Sequence, residues 1–460
     1  MKRAVILGAG ISGLVAANEL AKVGIETIIL EKSDTVGGLC ASFEYKDFIF
    51  DYGPHKLYSQ IPGLMNYIKN ILGDKCVIVK KRNSIRLFRD YLRFPIVIKQ
   101  IPYVFGLNNL IKIFFSYLKA KIKNVLNKKP IISYEDYFVN KFGSYIYSIM
   151  FKEFAYKVWG EPKRLSEELA RRRVPISSIF SMIKRKEKNK ISADYFFYPQ
   201  KGIGEFCNII AQEFIKNGGR ILFNTKPSKI IIEDGKVRFL EYVKNKEKRK
   251  IKIDYVISTI PINELIYLFD TIPENVRKAA KDLNYRSLML FYIILNKDRV
   301  LKDNWIFFPE KKYIINRISE QKSFSILTAP TNKTSIIAEV TYNSNDKKFH
   351  KEKIIKNVIN DLEKAGIIKR EWIDEFFVKK IENIYPIYNI GFRINLNIIF
   401  DFIQDIENLY TIGRYGLFNY NNMDHCIDMS MRTAQHIISG GSREKWRELV
   451  KSFNNYRIID

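Results

Sequence analysis

The stretch Arg3-Ala-Val-Ile-Leu-Gly8-Ala-Gly10-Ile11-Ser12-Gly13, continued through residues 14–22 and closed by Glu26-Thr-Ile-Ile-Leu30-Glu31, decides the fold. Residues 3–7 read as a short buried strand. The three glycines form a turn, residues 14–22 carry helical periodicity with Ala16, Ala17 and Ala21 for close packing, and residues 26–30 form a second strand ending on an acid. Each part has a physical role. Gly8 makes the tight turn, Gly10 lets backbone approach a pyrophosphate, and Gly13 lets helix and strand touch. The unpaired N–H groups and dipole of the helix N-terminus then favour a bound anion. Glu31, followed by Lys32, is placed to accept hydrogen bonds from a ribose. This pattern predicts a Rossmann-like dinucleotide site.

Moving outward, Thr35-Val-Gly37-Gly38-Leu39 supplies a second glycine pair directly after Glu31. A further backbone segment lying along the ligand suits the longer flavin dinucleotide, so FAD is expected rather than NAD. Residues 48–51 then lead into Tyr52-Gly53-Pro54-His55. The series Glu31…Gly37-Gly38…Asp51-x-Gly53 resembles flavin amine oxidases, protoporphyrinogen oxidases and UDP-galactopyranose mutases.

Later segments are similar to the mutase-like branch. These are Phe151-Lys-Glu-Phe-Ala-Tyr-Lys157-Val-Trp159-Gly160, Arg164-Leu-Ser166, Arg172-Arg173-Val174, and Tyr410-Thr-Ile-Gly413-Arg414-Tyr415-Gly416 followed by Tyr420-Asn421-Asn422-Met423-Asp424-His425. The resemblance implies an α/β protein in which a Rossmann-like FAD-binding domain is interleaved with an α+β substrate domain. The FAD pieces are expected at 1–75, 200–262 and 400–440, substrate pieces at 76–199 and 263–399, and a C-terminal tail at 441–460. It implies cofactor contacts from Gly8, Gly10, Ile11, Ser12, Gly13, Glu31, Lys32, Gly37, Gly38, Leu39, Gly53, Pro54, His55, Gly413, Arg414, Asn422, Met423 and Asp424.

The same resemblance implies reduced FAD acting through its N5 nitrogen on a nucleotide-sugar, with Arg173 and Arg317 matching diphosphate-binding positions. Tyr420 and Asn422 match further diphosphate contacts, and His55 matches a histidine beside the flavin. Arginine suits a diphosphate because its planar fork pairs with phosphate oxygens and keeps its charge. Arg317 reads as lying on a half-buried strand, and a buried guanidinium requires a counter-charge. Tyr385 and Tyr388 are either further contacts or core aromatics. His425 is expected to pack at the start of the last helix, and Cys426 departs from the small hydroxyl residue usual there. The alternative chemistry is hydride abstraction from an amine or lipophilic substrate, as in porphyrinogen oxidases, amine oxidases and carotenoid desaturases. A third class is a FAD-carrying scaffold or electron carrier.

Composition bounds the rest. The chain has 460 residues, 47% hydrophobic and 27% charged, which fits a globular protein of at least two domains. Cys40, Cys76, Cys207 and Cys426, and His55, His350, His425 and His436, are too scattered for a metal centre or a disulfide framework. A reducing, cytoplasmic setting is expected. The glycines that break MKRAVILGAGISG argue for strand and turn over a signal peptide. A net charge of +28 attracts anions, yet no nucleic-acid motif accompanies it, and compositional drift accounts for it equally well. Residues 91–129 mix apolar positions with lysines. They could rest on an acidic membrane surface, or pack their apolar stripe on the substrate domain and show lysines to water. Packing is the expectation. Oligomeric state is not legible.

Overall fold

A computed structural model describes residues 2–94, 96, 98–126, 129–173, 194–343, 351–456 and 458. Val174 of the arginine run and His350 lie outside them.

The opening strand Arg3–Leu7 is the centre of a five-stranded parallel sheet. In spatial order its strands are Leu409–Thr411, Tyr255–Ser258, Arg3–Leu7, Glu26–Leu30 and Arg220–Leu222. The near-continuous apolar run of these strands follows from burial on both faces. One face is covered by three packed helices, Ile11–Lys22, Gly204–Lys216 and Met423–Ile438, whose apolar sides share a core with Phe206, Ile210 and Phe214.

A second, seven-stranded sheet runs in the order 373–386, 285–295, 334–342, 317–320, 305–307, 83–87, 90–94. It is antiparallel except where Trp305–Phe307 lies parallel to Asn83–Leu87. Its central strands Tyr285–Leu295 and Thr334–Tyr342 are buried almost throughout. The helices Ile101–Leu126, Tyr134–Ile146 and Glu167–Arg173 form a separate layer, joined to the sheet through Leu87, Leu92, Val104 and Phe105. An antiparallel three-stranded meander, Thr225–Glu233, Lys236–Lys244 and Glu247–Lys252, leaves the basic run 244–252 largely exposed around a turn at Asn245 and Lys246.

Two expectations need correction. Residues 441–460, read as a tail, contain the helix Arg443–Phe453. Its Trp446, Val450 and Phe453 are buried in the core beneath the parallel sheet, and Arg443 donates to the carbonyls of Ile403, Gln404 and Leu409. The 91–129 segment was expected to bury its apolar stripe. Its helix Ile101–Leu126 buries only Val104, Phe105 and Ala120 fully, and a second apolar face points to solvent.

Candidate active site

The sheet edge, two helix N-termini and the seven-stranded sheet enclose one cavity of about 670 Å³. At one end, Glu31 stands at the tip of strand Glu26–Leu30. Its Oε2 accepts from Ala9 N at 2.7 Å and its Oε1 from Ser33 N at 2.8 Å, which fixes the carboxylate beside the glycine turn. Thr225 and Lys226 close this end, with Thr225 N donating to the carbonyl of Glu31 at 2.8 Å.

The middle of the cavity is backbone. Gly8 adopts φ +99°, and Gly10 and Gly37 approach as an isolated parallel bridge, with Gly37 N donating to Ala9 O at 2.8 Å. A Cβ at Gly13 would lie 2.0 Å from the carbonyl oxygen of Gly8, so helix Ile11–Lys22 can sit this close to the strand only with glycine there. The first N–H groups of a helix have no intrahelical partner, and Ile11 and Ser12 carry theirs at the cavity wall. Helix Met423–Ile438 brings its own N-terminus to the same wall through Asn422 and Met423. Ser430 Oγ ties the two helices together by donating to Ser12 O at 2.9 Å. Two positive dipole ends therefore face one space. A Cβ at Gly413 would meet Ser12 Oγ at 2.6 Å, which explains the glycine in that C-terminal turn.

The far end is cationic and aromatic. Arg173, Arg317 and Arg414 all line it, together with His55, Trp305 and Tyr385. In the run of three arginines, Arg171 pairs with Glu167, while Arg172 pairs with Glu168 and donates to Asn419, so only Arg173 reaches the cavity. The rings of Tyr385 and Tyr420 stack at 6.4 Å. The guanidinium of Arg414 lies 5.5 and 5.1 Å from their centroids, and that of Arg173 lies 6.0 Å from Tyr420.

Arg317 has its counter-charge inside the protein. It faces Glu339 across adjacent strands, donating from Nε at 2.8 Å and Nη2 at 3.1 Å to the two carboxylate oxygens. Glu339 is 2% exposed. Replacing Arg317 alone with alanine strands that carboxylate and should cost about 3 kcal/mol of stability. Arg317→Ala/Glu339→Ala should recover most of the loss in thermal unfolding, and no recovery would show that the pair does not act as a unit.

His55 Nδ1 lies 2.9 Å from the Gly53 carbonyl. Burial lowers the imidazole pKa and Arg317 and Arg414 lower it further, against opposing effects of Asp51 and the Gly53 carbonyl. The neutral ring then donates from Nδ1 and leaves Nε2 as an acceptor. Because the folded protein binds this proton less readily than the unfolded chain, stability should fall as pH drops below the ordinary histidine value. Thermal unfolding of His55→Gln across that range should show a shallower acid slope than the parent; equal slopes would remove His55 as a source of the pH dependence.

The sequence candidates Gly8, Gly10, Ile11, Ser12, Glu31, Lys32, Gly37, Gly38, Leu39, Pro54, His55, Arg173, Arg317, Arg414, Asn422 and Met423 all meet on this wall. Gly13, Gly53, Gly413, Asp424 and Tyr420 stand behind it. Tyr420 is 2% exposed and its hydroxyl donates to Pro386 O at 2.7 Å, so it supports the arginines with its ring rather than reaching a diphosphate. Asp424 accepts from Ser59 Oγ at 2.8 Å in the interior. Tyr388 is a core residue, hydrogen-bonded to Phe418 O and Asn419. His425 packs on Tyr456, and Asn422 N donates to its Nδ1 at 3.3 Å. Sequence reading missed Trp305, Thr225 and Lys226. Trp305 enters through a three-residue strand that has no local signal of its own.

These features fit a flavin dinucleotide. The glycine cradle and the N-terminus of helix Ile11–Lys22 suit its pyrophosphate, and Glu31 its ribose. Asn421 lines the cavity, and its buried Oδ1 has no hydrogen-bond partner among the described residues. Among the described residues no group of His, Cys, Asp and Glu could hold a metal, and no helix is long and apolar enough to cross a membrane.

The fold and cavity define a FAD-dependent enzyme with a Rossmann-like dinucleotide domain. A model of NAD(P)-binding Rossmann-like domains matches residues 6–70, and one of flavin containing amine oxidoreductases matches 111–379. The latter spans more than half of the chain, which belongs to that family. A UDP-galactopyranose mutase of Mycoplasma genitalium is 22% identical over 450 residues, 94% of each chain. Among solved structures, reduced UDP-galactopyranose mutase superposes with a TM-score of 0.84 at 20% identity, covering 100% of both chains. A protoporphyrinogen-oxidase-type protein from Exiguobacterium sp. 255-15 superposes with a TM-score of 0.70 at 18% identity, covering 95% of this chain and 99% of that one.

Proposed function

We propose that this enzyme rearranges the sugar of a nucleotide-sugar at reduced FAD, without net redox change. The observation that most supports this is the gathering of Arg173, Arg317 and Arg414 at the end of the cavity opposite Glu31. A departing nucleotide diphosphate needs fixed positive charge, and guanidinium forks provide it in a geometry matched to phosphate oxygens. Arg317 is aimed by Glu339, which also tempers its charge. Arg173 and Arg414 rest on Tyr420, so their planes are held before substrate arrives. When bound in its reduced state, FAD supplies the electron-rich N5 nitrogen. Gly8, Gly10, Ser12, Gly37 and Gly38 would hold its pyrophosphate, Glu31 and Lys32 its ribose, and Asn422 and Met423 its ring end. His55, neutral and acceptor at Nε2, would bound the ring edge, and Trp305 and Tyr385 would exclude water. Likeness to the Mycoplasma mutase along nearly the whole chain agrees with this reading.

A second reading, hydride abstraction from an amine or lipophilic substrate, draws on the amine oxidoreductase family match and on a 1-hydroxycarotenoid 3,4-desaturase of Flavobacterium sp. that is 37% identical over 81 residues, 15% of this chain. One experiment separates the two. The flavoprotein is reduced with dithionite and screened for isomerisation of UDP-sugars, while the oxidised protein is screened for oxygen uptake with amines and a porphyrinogen. Isomerisation confined to the reduced form is the expected result. Substrate-dependent oxygen uptake without isomerisation would overturn it.

A further inference from the structure

The helix Ile101–Leu126 carries two apolar faces, and the fold uses only one. Val104, Phe105 and Ala120 face the neighbouring helix Tyr134–Ile146 and the sheet. On the other side Leu107, Ile111, Phe114, Leu118, Ile122 and Val125 recur at intervals of three and four residues, so they form one continuous stripe. All six are exposed, Leu107 at 73% and Phe114 at 61%. After the kink at Gly106, which has φ +68°, the twenty residues to Leu126 extend about 30 Å. Isolated exposed leucines are ordinary, but a stripe of this length is not.

The charge around the stripe is one-sided. Residues 91–134 contain eight lysines and arginines and no aspartate or glutamate, in a chain that has 49 acids overall. Lys112, Lys119 and Lys123 are exposed along the stripe. Compositional drift would place acids here as elsewhere, so this segment is where the +28 charge acquires a local meaning.

We infer that this helix lies flat on an anionic phospholipid surface, burying Leu107–Val125 at the acyl boundary and setting its lysines among the headgroups. An apolar face bordered by lysines and lying in the plane of the interface is the form of a monotopic amphipathic helix, and each lysine near an anionic surface adds attraction. Pairing with a second copy of the chain would also cover the stripe, but it would bring two acid-free basic segments together, and like charges disfavour that. The inference stands on exposure and charge alone and is independent of the substrate assigned above.

The test is co-flotation of the full-length FAD-loaded protein with vesicles of phosphatidylcholine containing about one third phosphatidylglycerol, and with pure phosphatidylcholine vesicles. The parent should float with the anionic vesicles, at least tenfold more than with the neutral ones, and should be released by high salt. Phe114→Ser/Phe115→Ser, which also removes the exposed ring of Phe115 beside the stripe, and Lys119→Glu/Lys123→Glu should each weaken flotation at least tenfold. The second pair changes only exposed charges, so a folding defect in the first does not remove the test. Flavin absorbance and far-ultraviolet dichroism should match the parent. Flotation of the lysine variant equal to the parent would overturn the inference. So would absence of flotation, including the case where sedimentation shows the stripe closed in a dimer that the phenylalanine variant dissociates.

Discussion

Arg173→Ala is expected to lower turnover of the nucleotide-sugar by about 10²–10³-fold while the flavin spectrum stays unchanged. The size follows from removing one preorganised cation where charge develops on a leaving diphosphate. Arg173 also faces the ring of Tyr420, its guanidinium 6.0 Å from the centroid. Arg317 is bound into a buried ion pair, so its loss also unbalances Glu339. Arg414 holds the carbonyls of Ile384 and Asn421, each at 3.3 Å, so its loss would disturb the loop before helix Met423–Ile438. Arg173 sits at the end of the short helix Glu167–Arg173, where Leu169 and Ala170 supply the packing. Arg173→Lys should recover only part of the rate, because an ammonium keeps the charge and loses the fork. Steady-state kinetics on the reduced enzyme decide the matter. If Arg173→Ala turns over at the parental rate, the diphosphate does not bind at this end of the cavity.

Gly13→Ala should remove most of the protein's flavin retention. The new methyl would lie 2.0 Å from the Gly8 carbonyl oxygen and 3.3 Å from Ile6 Cγ2. Backbone cannot yield as a flexible side chain can, so the helix must move away from the strand. That shift carries the N–H groups of Ile11 and Ser12 out of line with the pyrophosphate. Purified Gly13→Ala protein should hold less than about a tenth of the parental flavin per chain, on the same steric ground as other overpacked core contacts. Absorbance after cofactor soaking and gel filtration measures this. Stoichiometric flavin in the variant would show that the helix–strand contact is not what aligns the cradle.

The two outcomes differ in how visible their residues are in the sequence. The cradle is local. Strand, glycines, helix and acid fall within about thirty residues, and each glycine has a steric reason that spacing alone reveals. The remote halves of the cavity are less legible. Arg317 was recognisable as a half-buried cation, but its partner Glu339 lies on another strand and is set by cross-strand register, which no local pattern encodes. Trp305 has the same difficulty. Tyr420 illustrates a different limit. The sequence resemblance makes it a diphosphate contact, yet the direction of a buried hydroxyl depends on which carbonyl packs nearby, here Pro386. The 101–126 helix shows an ambiguity of periodicity itself, since two apolar faces give the same repeat and only the packed structure says which is inside. The helix at 443–453 was an avoidable miss. Trp446, Val450 and Phe453 fall at helical spacing after Ser442, whose hydroxyl accepts from Lys445 N.

The central sheet has a temporal consequence. Strand Tyr255–Ser258 joins Arg3–Leu7 only after some 250 residues of chain, and Leu409–Thr411 adds itself after a further 150. During synthesis the nascent glycine turn therefore waits, with its flank unsealed, until residue 411 has left the ribosome. Pairings so distant are slow to close. Cofactor capture should accordingly be among the last events of biogenesis, and arrested chains ending before residue 409 should emerge colourless.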